Sequence, residues 1–419
     1  MSAQPSPYPQ AHIQEFDSLR GLAALLIVLL HISSWNPLLD IAFIKNGYLM
    51  VELFFVLSGF VMAAAYGERI KSMPDLARFQ FLRLGRLYPL HALFLSVFFG
   101  HEAARYVAIH WLGFNLHIPT TFDQNNLTAL LQHLLLIQAI GPAGQINSFN
   151  IPSWSISVEF YTYLIFGLIA LWLGRKKYYG FTIVAGIALM LILTHQTYGF
   201  DALLRCLAGF FIGSLTAAAA KRLQVVPPTY MSSLLLLALL AFLQFKPAYE
   251  NDSIIFILTA GLLLCLALRP DGLLNRILKR KTLVWLGALS YAIYMSHTAV
   301  IMISLNGTRR IFGKHIMTAQ NDPFATPLSM PETQALTIIV IALILLVSWL
   351  AYILVERPMR AWSRRIVKAE AGAAGKTGMP QTRAGNSVAA IRPWRDCRAR
   401  KRPRHKRRNR AGRRSAPHS

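Results

Sequence analysis

The chain has 419 residues, of which 54% are hydrophobic and only 15% charged, and its mean hydropathy is +0.42. Soluble domains carry roughly 25% charged residues, so this composition excludes a soluble globular fold and indicates an all-α polytopic membrane protein. The net charge of +25 is no sign of a nucleic-acid module, because 20 of the 43 Lys and Arg lie at or beyond Arg357, in a tail suited to an anionic inner leaflet.

Residues 1–18 read as a cytoplasmic N-terminal segment, 19–365 as the membrane domain and 366–419 as a disordered Arg-rich cytoplasmic tail, too poor in apolar residues to bury a core. About ten spans are expected, at 19–35, 48–66, 87–99, 153–173, 178–194, 202–219, 231–245, 254–268, 283–303 and 336–355. Residues 1–15 carry no Lys or Arg and the first apolar run lacks a small-residue cleavage site, so the first helix is expected to stay as an anchor. One alternate set of connecting segments holds fifteen Lys and Arg and the other seven, which puts both termini in the cytoplasm. Residues 100–152 are expected to form an irregular outer segment with a short interfacial or re-entrant helix at 127–140, and 304–332 a second outer loop. Cys206, Cys265 and Cys397 are far apart and suggest neither a disulfide framework nor a zinc site.

The first span carries two costly polar groups. Arg20 and His31 are eleven residues apart, roughly 16 Å of helical rise and about 20° from the same face. Counting depth from the span ends puts Glu52, Glu159 and His297 in the same outer half of the membrane as His31. A histidine oriented by a carboxylate can take a proton from an attacking hydroxyl, as acyl transfer to an alcohol requires. The plain alternative is a set of buried ion pairs that fix the helices. No paired ligand spacing such as HExxH supports a metal.

The inner side differs. Arg83 and Arg86 lie three residues apart, one turn of a helix, and arginine forks suit phosphates; ordinary positive-inside anchoring is the competing explanation. Ser58-Gly59 offers a small-residue break where a ligand or another helix can approach. A phosphate-attracting inner mouth and an outer acid–base cluster, joined by the stripe of the first helix, suit a long thin donor with a phosphorylated head.

Five motifs give these residues a common origin: FDSLRGLAALLIVLLH at 16–31, VELFFVLSGFVM at 51–62, RLGRLYPLH at 83–91, PSWSISVEFYTYL at 152–164 and LGALSYAIYMSHT at 286–298. In order and placement they resemble the acyltransferase 3 family of integral-membrane O-acyltransferases, which acetylate bacterial surface polysaccharides and some small molecules. The resemblance spans about 16–362. It implies ten core helices, acyl-CoA (acetyl-CoA foremost) as donor and an acceptor on the outer side. The family's arginine–ten-residues–histidine motif falls on Arg20 and His31, its arginine pair on Arg83 and Arg86, its FFVLSGF box on 54–60 and its tryptophan-to-glutamate segment on 154–159. Position 52 is glutamate where many relatives have aspartate. No SGNH-type esterase domain follows the tenth span, so handover by such a fused domain is not expected.

The resulting expectation is a bacterial inner-membrane O-acyltransferase that moves an acyl, most often acetyl, group to a hydroxyl of an extracytoplasmic glycan or lipid-linked glycan. His31 is the general base and Glu159 orients or charges it. Arg20, Arg83, Arg86, Ser58 and Gly59 hold the donor. Glu52, Trp154, Tyr291 and His297, all within the quoted motifs, are substrate-site candidates. Membrane lipids are the other partners, and neither a metal nor a specific nucleic acid is expected. A small lipid, antibiotic or sugar acceptor is the nearest alternative, and a glycan transporter or exporter the rival of another class.

Overall fold

A computed structural model of the protein describes residues 13–113, 121–247, 252–268, 271–312, 314–315 and 326–376. Met1–Ala369 forms one compact unit. Of Glu370–Ser419 only residues 370–376 are described, all helical.

Apolar runs in lipid must satisfy their backbone internally, which selects helices. α1 (Gln14–Ser33), the short α2 (Ala42–Lys45) and α3 (Met50–Tyr66) are followed by the 38-residue α4 (Met73–His110). Then come α5 (Leu127–Leu135), α6 (Trp154–Leu173), α7 (Lys177–Leu193) and α8 (Asp201–Arg222). The C-terminal half adds α9 (Met231–Phe245), α10 (Ile254–Leu268), α11 (Leu273–Leu278), α12 (Lys281–Phe312), α13 (Met330–Ala351) and α14 (Arg357–Lys376). A π-helical turn at Tyr352–Glu356 joins the last two. The one departure from helix among the described residues that forms a ladder is a two-residue parallel pairing of Lys314–His315 with Thr326–Pro327. Local chemistry sets the starts: the Ser72 hydroxyl accepts from the Asp75 amide at α4, and Asn126 accepts from the Ala129 amide at α5.

The protein is a multi-pass helical membrane protein. Each of the ten apolar stretches is helical, but seven helical runs among the described residues are long and apolar enough to cross a membrane. One of these, Ile151–Leu193, contains both α6 and α7, because a single 3₁₀ turn at Gly174–Lys176 links them. α9 and α10 have 15 residues each, about 22 Å of rise against a hydrocarbon core of about 30 Å. The two segments expected on the outer side are more helical than expected: α4 runs on to His110 and α12 to Phe312. Conversely, the expected 127–140 helix stops at Leu135, where Leu136 turns left-handed. The tail starts later than expected, since residues 366–376 continue α14; the expectation of disorder beyond them, and Cys397, lie outside the described residues.

Two glycine contacts lock the bundle. A Cβ on Gly59 would overlap the Phe210 carbonyl of α8, and one on Gly213 the Val56 carbonyl of α3, so α3 and α8 touch backbone to backbone. α1 and α12 do the same at Gly21 and Gly287: a Cβ on Gly21 would sit 2.7 Å from the Gly287 nitrogen, and one on Gly287 would overlap the Asp17 carbonyl.

Candidate active site

The α1–α12 crossing fixes the histidines. His31 is ten residues beyond Gly21, and His297 ten beyond Gly287. The two helices run parallel in this register, so the same rise of about 15 Å carries both imidazoles to one level. There they meet edge to face, with ring centroids 4.7 Å apart. His31 Nδ1 lies 2.9 Å from the Ile27 carbonyl, and His297 Nδ1 lies 2.7 Å from the Tyr294 carbonyl. A carbonyl oxygen only accepts, so both Nδ1 atoms carry a proton, and in the neutral rings both Nε2 atoms keep a lone pair. His297 Nε2 is buried without a hydrogen-bond partner among the described residues.

Glu159 bonds elsewhere. Its Oε1 accepts from Tyr163 Oη at 2.6 Å, and Tyr163 Oη is 2.8 Å from Ser58 Oγ. Together with Arg20, Arg86 and Tyr294 these three residues line a cavity of about 70 Å³. The expected Glu159–His31 hydrogen bond is not formed in this structure: the His31 Nδ1 proton goes to its own helix, and the carboxylate to a tyrosine one turn along α6. Tyr294 connects the two places, since it lines the cavity and its ring centroid lies 5.9 Å from that of His297.

Tyr291 lines the same cavity and donates to the Leu87 carbonyl of α4 at 2.5 Å. Arg20 donates to Asp17 at 3.4 Å on one side and faces the cavity on the other. Arg86 belongs to two walls, this one and that of a second cavity shared with Arg83, Arg360 and Arg364. Arg83 is buried, donating to Tyr66 Oη at 3.2 Å and Met62 Sδ at 3.4 Å, with its guanidinium 5.2 Å from the Tyr66 ring centroid.

Three expected site residues stand elsewhere. Gly59 faces α8 rather than either cavity, so its small size serves helix packing. Glu52 is buried and accepts from both Nε and Nη2 of Arg205, 153 residues further along the chain. Trp154 lies under the same guanidinium, 5.0 Å from its ring centroid, and not on the cavity wall. Replacing Glu52 with glutamine strands a cation whose side chain is 33% exposed. The expected loss is roughly 2 kcal/mol, between the values for buried and surface pairs, read as a lower melting temperature in detergent. A Glu52→Leu/Arg205→Leu double variant should recover most of it.

The sequence reading missed Tyr163, Tyr294, Arg360, Arg364 and the buried Glu356, whose Oε1 accepts from Arg360 at 3.1 Å. Glu356 and Arg360 had a sequence signal, an i,i+4 carboxylate–arginine spacing. Among the described residues no three His, Cys, Asp or Glu gather as metal ligands.

A helical multi-pass protein with polar cavities and paired histidines inside the bundle is, by class, a membrane enzyme or carrier. The comparisons decide between these: the profile of the acyltransferase 3 family, described as an acyltransferase domain, matches residues 13–353, and the chain belongs to that family. It is 25% identical over 346 residues to the peptidoglycan O-acetyltransferase OatA of Listeria monocytogenes, covering 71% of this chain and 50% of that protein. It is 28% identical over 386 residues to the acyltransferase MdmB of Streptomyces mycarofaciens, covering 83% and 92%. A stretch of 112 residues is 38% identical to protein 2 in the picA locus of Rhizobium radiobacter, covering 26% and 50%. The chain thus spans about half the length of two of these relatives. No solved structure matches it.

Proposed function

We propose that the protein transfers an acyl group, acetyl foremost, from acyl-CoA to a hydroxyl of a glycan on the outer side of the bacterial inner membrane. Both termini are then cytoplasmic, with about ten helices crossing. The reading rests above all on one observation: the cavity of Arg20, Glu159 and Tyr163 shares Arg86 with the arginine cavity and is lined on another side by Tyr294, whose ring meets that of His297 beside His31.

In this reading Arg83, Arg86 and Arg20 hold the phosphorylated donor. The first cavity, at about 70 Å³, is far below the several hundred Å³ of a pocket for a whole drug-sized molecule; it suits the narrow arm and the acyl group. His31 Nε2 takes the proton of the acceptor hydroxyl as the hydroxyl oxygen attacks the acyl carbonyl; the C–S bond then breaks, and the imidazolium gives that proton to the departing thiolate, which restores the base. Glu159, with Tyr163 and Ser58, acts on the donor side, a change from the sequence-based assignment. The OatA relative is named for peptidoglycan O-acetylation, which supports a glycan acceptor. The MdmB relative is nearly matched end to end and carries only the name acyltransferase, so a smaller acceptor is the second reading.

Replacing Arg83 with glutamine is expected to raise the acyl-CoA concentration for half-maximal transfer about tenfold or more, the scale of one charge-assisted hydrogen bond. Membranes incubated with labelled acetyl-CoA measure it; an unchanged requirement returns Arg83 to anchoring. The same assay separates enzyme from exporter, since only an enzyme labels an acceptor.

A further inference from the structure

The second cavity is a cluster of four arginines. Arg83 and Arg86 come from α4, Arg360 and Arg364 from α14, with Tyr66 and Ser363 between them, around a volume of about 70 Å³. The α14 pair lies beyond residue 353, where the family match ends. Gly85 brings the two helices together, since a Cβ there would lie 2.6 Å from Ser363 Cβ. The rings of Phe81 and Trp362 meet alongside, centroids 6.0 Å apart. Spacings of three in α4 and four in α14 keep each pair on one helix face.

Charge is not balanced at this cavity. Arg360 has Glu356, at 3.1 Å. Arg83 has neutral partners, the Tyr66 hydroxyl and the Met62 sulfur. The Nε atoms of Arg83 and Arg86 are buried without a hydrogen-bond partner among the described residues, as is Glu356 Oε2. Arg83 is buried, Arg86 and Arg360 are half-buried and Arg364 is exposed, so like charges gather at a mouth that water reaches. Planar forks with donors to spare are what bidentate phosphate recognition uses.

We propose that α14 is the second jaw of a phosphate clamp, with Arg360 and Arg364 gripping the phosphate-bearing nucleotide end of the acyl-CoA donor opposite Arg83 and Arg86. This rests on the donor reading above and deepens it: the clamp takes the phosphates, and the arm passes Arg86 into the neighbouring cavity. Glu356 is the resting counter-ion, which an incoming phosphate displaces from Arg360. An anionic lipid headgroup has the same chemistry, so the test must separate the two sources.

The full-length protein and an Arg360→Gln/Arg364→Gln double variant are placed in phosphatidylcholine nanodiscs, with and without phosphatidylglycerol. Binding of CoA and dephospho-CoA is measured, together with transfer from acetyl-CoA and from S-acetylpantetheine, which has no phosphate. The expected result is CoA affinity about tenfold or more weaker in the double variant, on the scale of charge-assisted bonds. The ratio of acetyl-CoA to acetylpantetheine use should fall by a similar factor, and Arg360→Lys/Arg364→Lys should recover part of it. Equal CoA affinity in the wild type and the glutamine variant, at unchanged melting temperature, overturns the clamp while leaving the donor reading intact. A wild type that binds no CoA overturns the donor reading and the clamp together. A difference between the two proteins seen with phosphatidylglycerol but not with CoA assigns the arginines to a lipid and also overturns the clamp. Should the glutamine variant melt early, the lysine variant carries the comparison.

Discussion

Replacing His31 with alanine is expected to cut acyl transfer by about 10²–10⁴-fold, the usual contribution of a positioned general base, while expression and membrane insertion stay as they are. The geometry gives reasons for both halves. His31 is only partly buried and donates from Nδ1 to the carbonyl of Ile27 in its own helix, so its loss removes no bond between helices. Its Nε2 is left as a proton acceptor next to His297. Labelled acetyl-CoA with isolated membranes measures transfer, and detergent melting measures integrity. Near-normal product from His31→Ala, with transfer lost instead in His297→Ala, would sink the assignment and hand the base role to His297.

The second large effect is expected from a single methyl group far from either imidazole. Gly287→Ala places a Cβ onto the Asp17 carbonyl of α1, a backbone atom that cannot swing aside as a side chain can. Overpacking of a tight contact costs about 1–3 kcal/mol. The helices must part or slide, and a displacement near 1 Å at the reacting groups can cost about 10²-fold in rate. A melting temperature lowered together with such a loss of transfer is the expected pair of readings. Full activity in Gly287→Ala would show that the α1–α12 contact does not hold the histidines in register. Gly307, which meets no atom within 4 Å of its ideal Cβ, is the control position.

How much of this was legible depended on whether the signal was local. Arg20 and His31 belong to one helix, so spacing alone puts them on one stripe, and Arg83 and Arg86 are likewise a one-turn pair. Whatever needed a second helix was harder. Glu52 was grouped with the acid–base residues on depth alone, because its partner Arg205 lies 153 positions away and no local spacing links the two. Glu159 was matched in depth to His31, yet depth inferred from one helix carries no information on the tilt of another. Tyr163 and Tyr294 gave no signal, since aromatic residues abound in membrane helices. Arg360 and Arg364 were absorbed into a basic tail, although the chain is still helical and packed there. Gly287 was quoted within a motif and its purpose went unread, because a close approach is visible only once both backbones are present.

The shared wall at Arg86 bears on a hazard that any polar track through a bundle creates. Water-lined cavities in series can conduct protons or cations and so run down the membrane potential that a cell maintains. Pores that must refuse protons and cations use a fixed arginine as an electrostatic barrier. Arg86 lines both cavities, so under the donor reading proposed above the charge that would hold a polyanionic donor would also repel hydronium and metal cations. Recognition and insulation would then come from one guanidinium, and a neutral residue at position 86 is expected to admit a proton leak as well as to weaken the hold on an anionic donor.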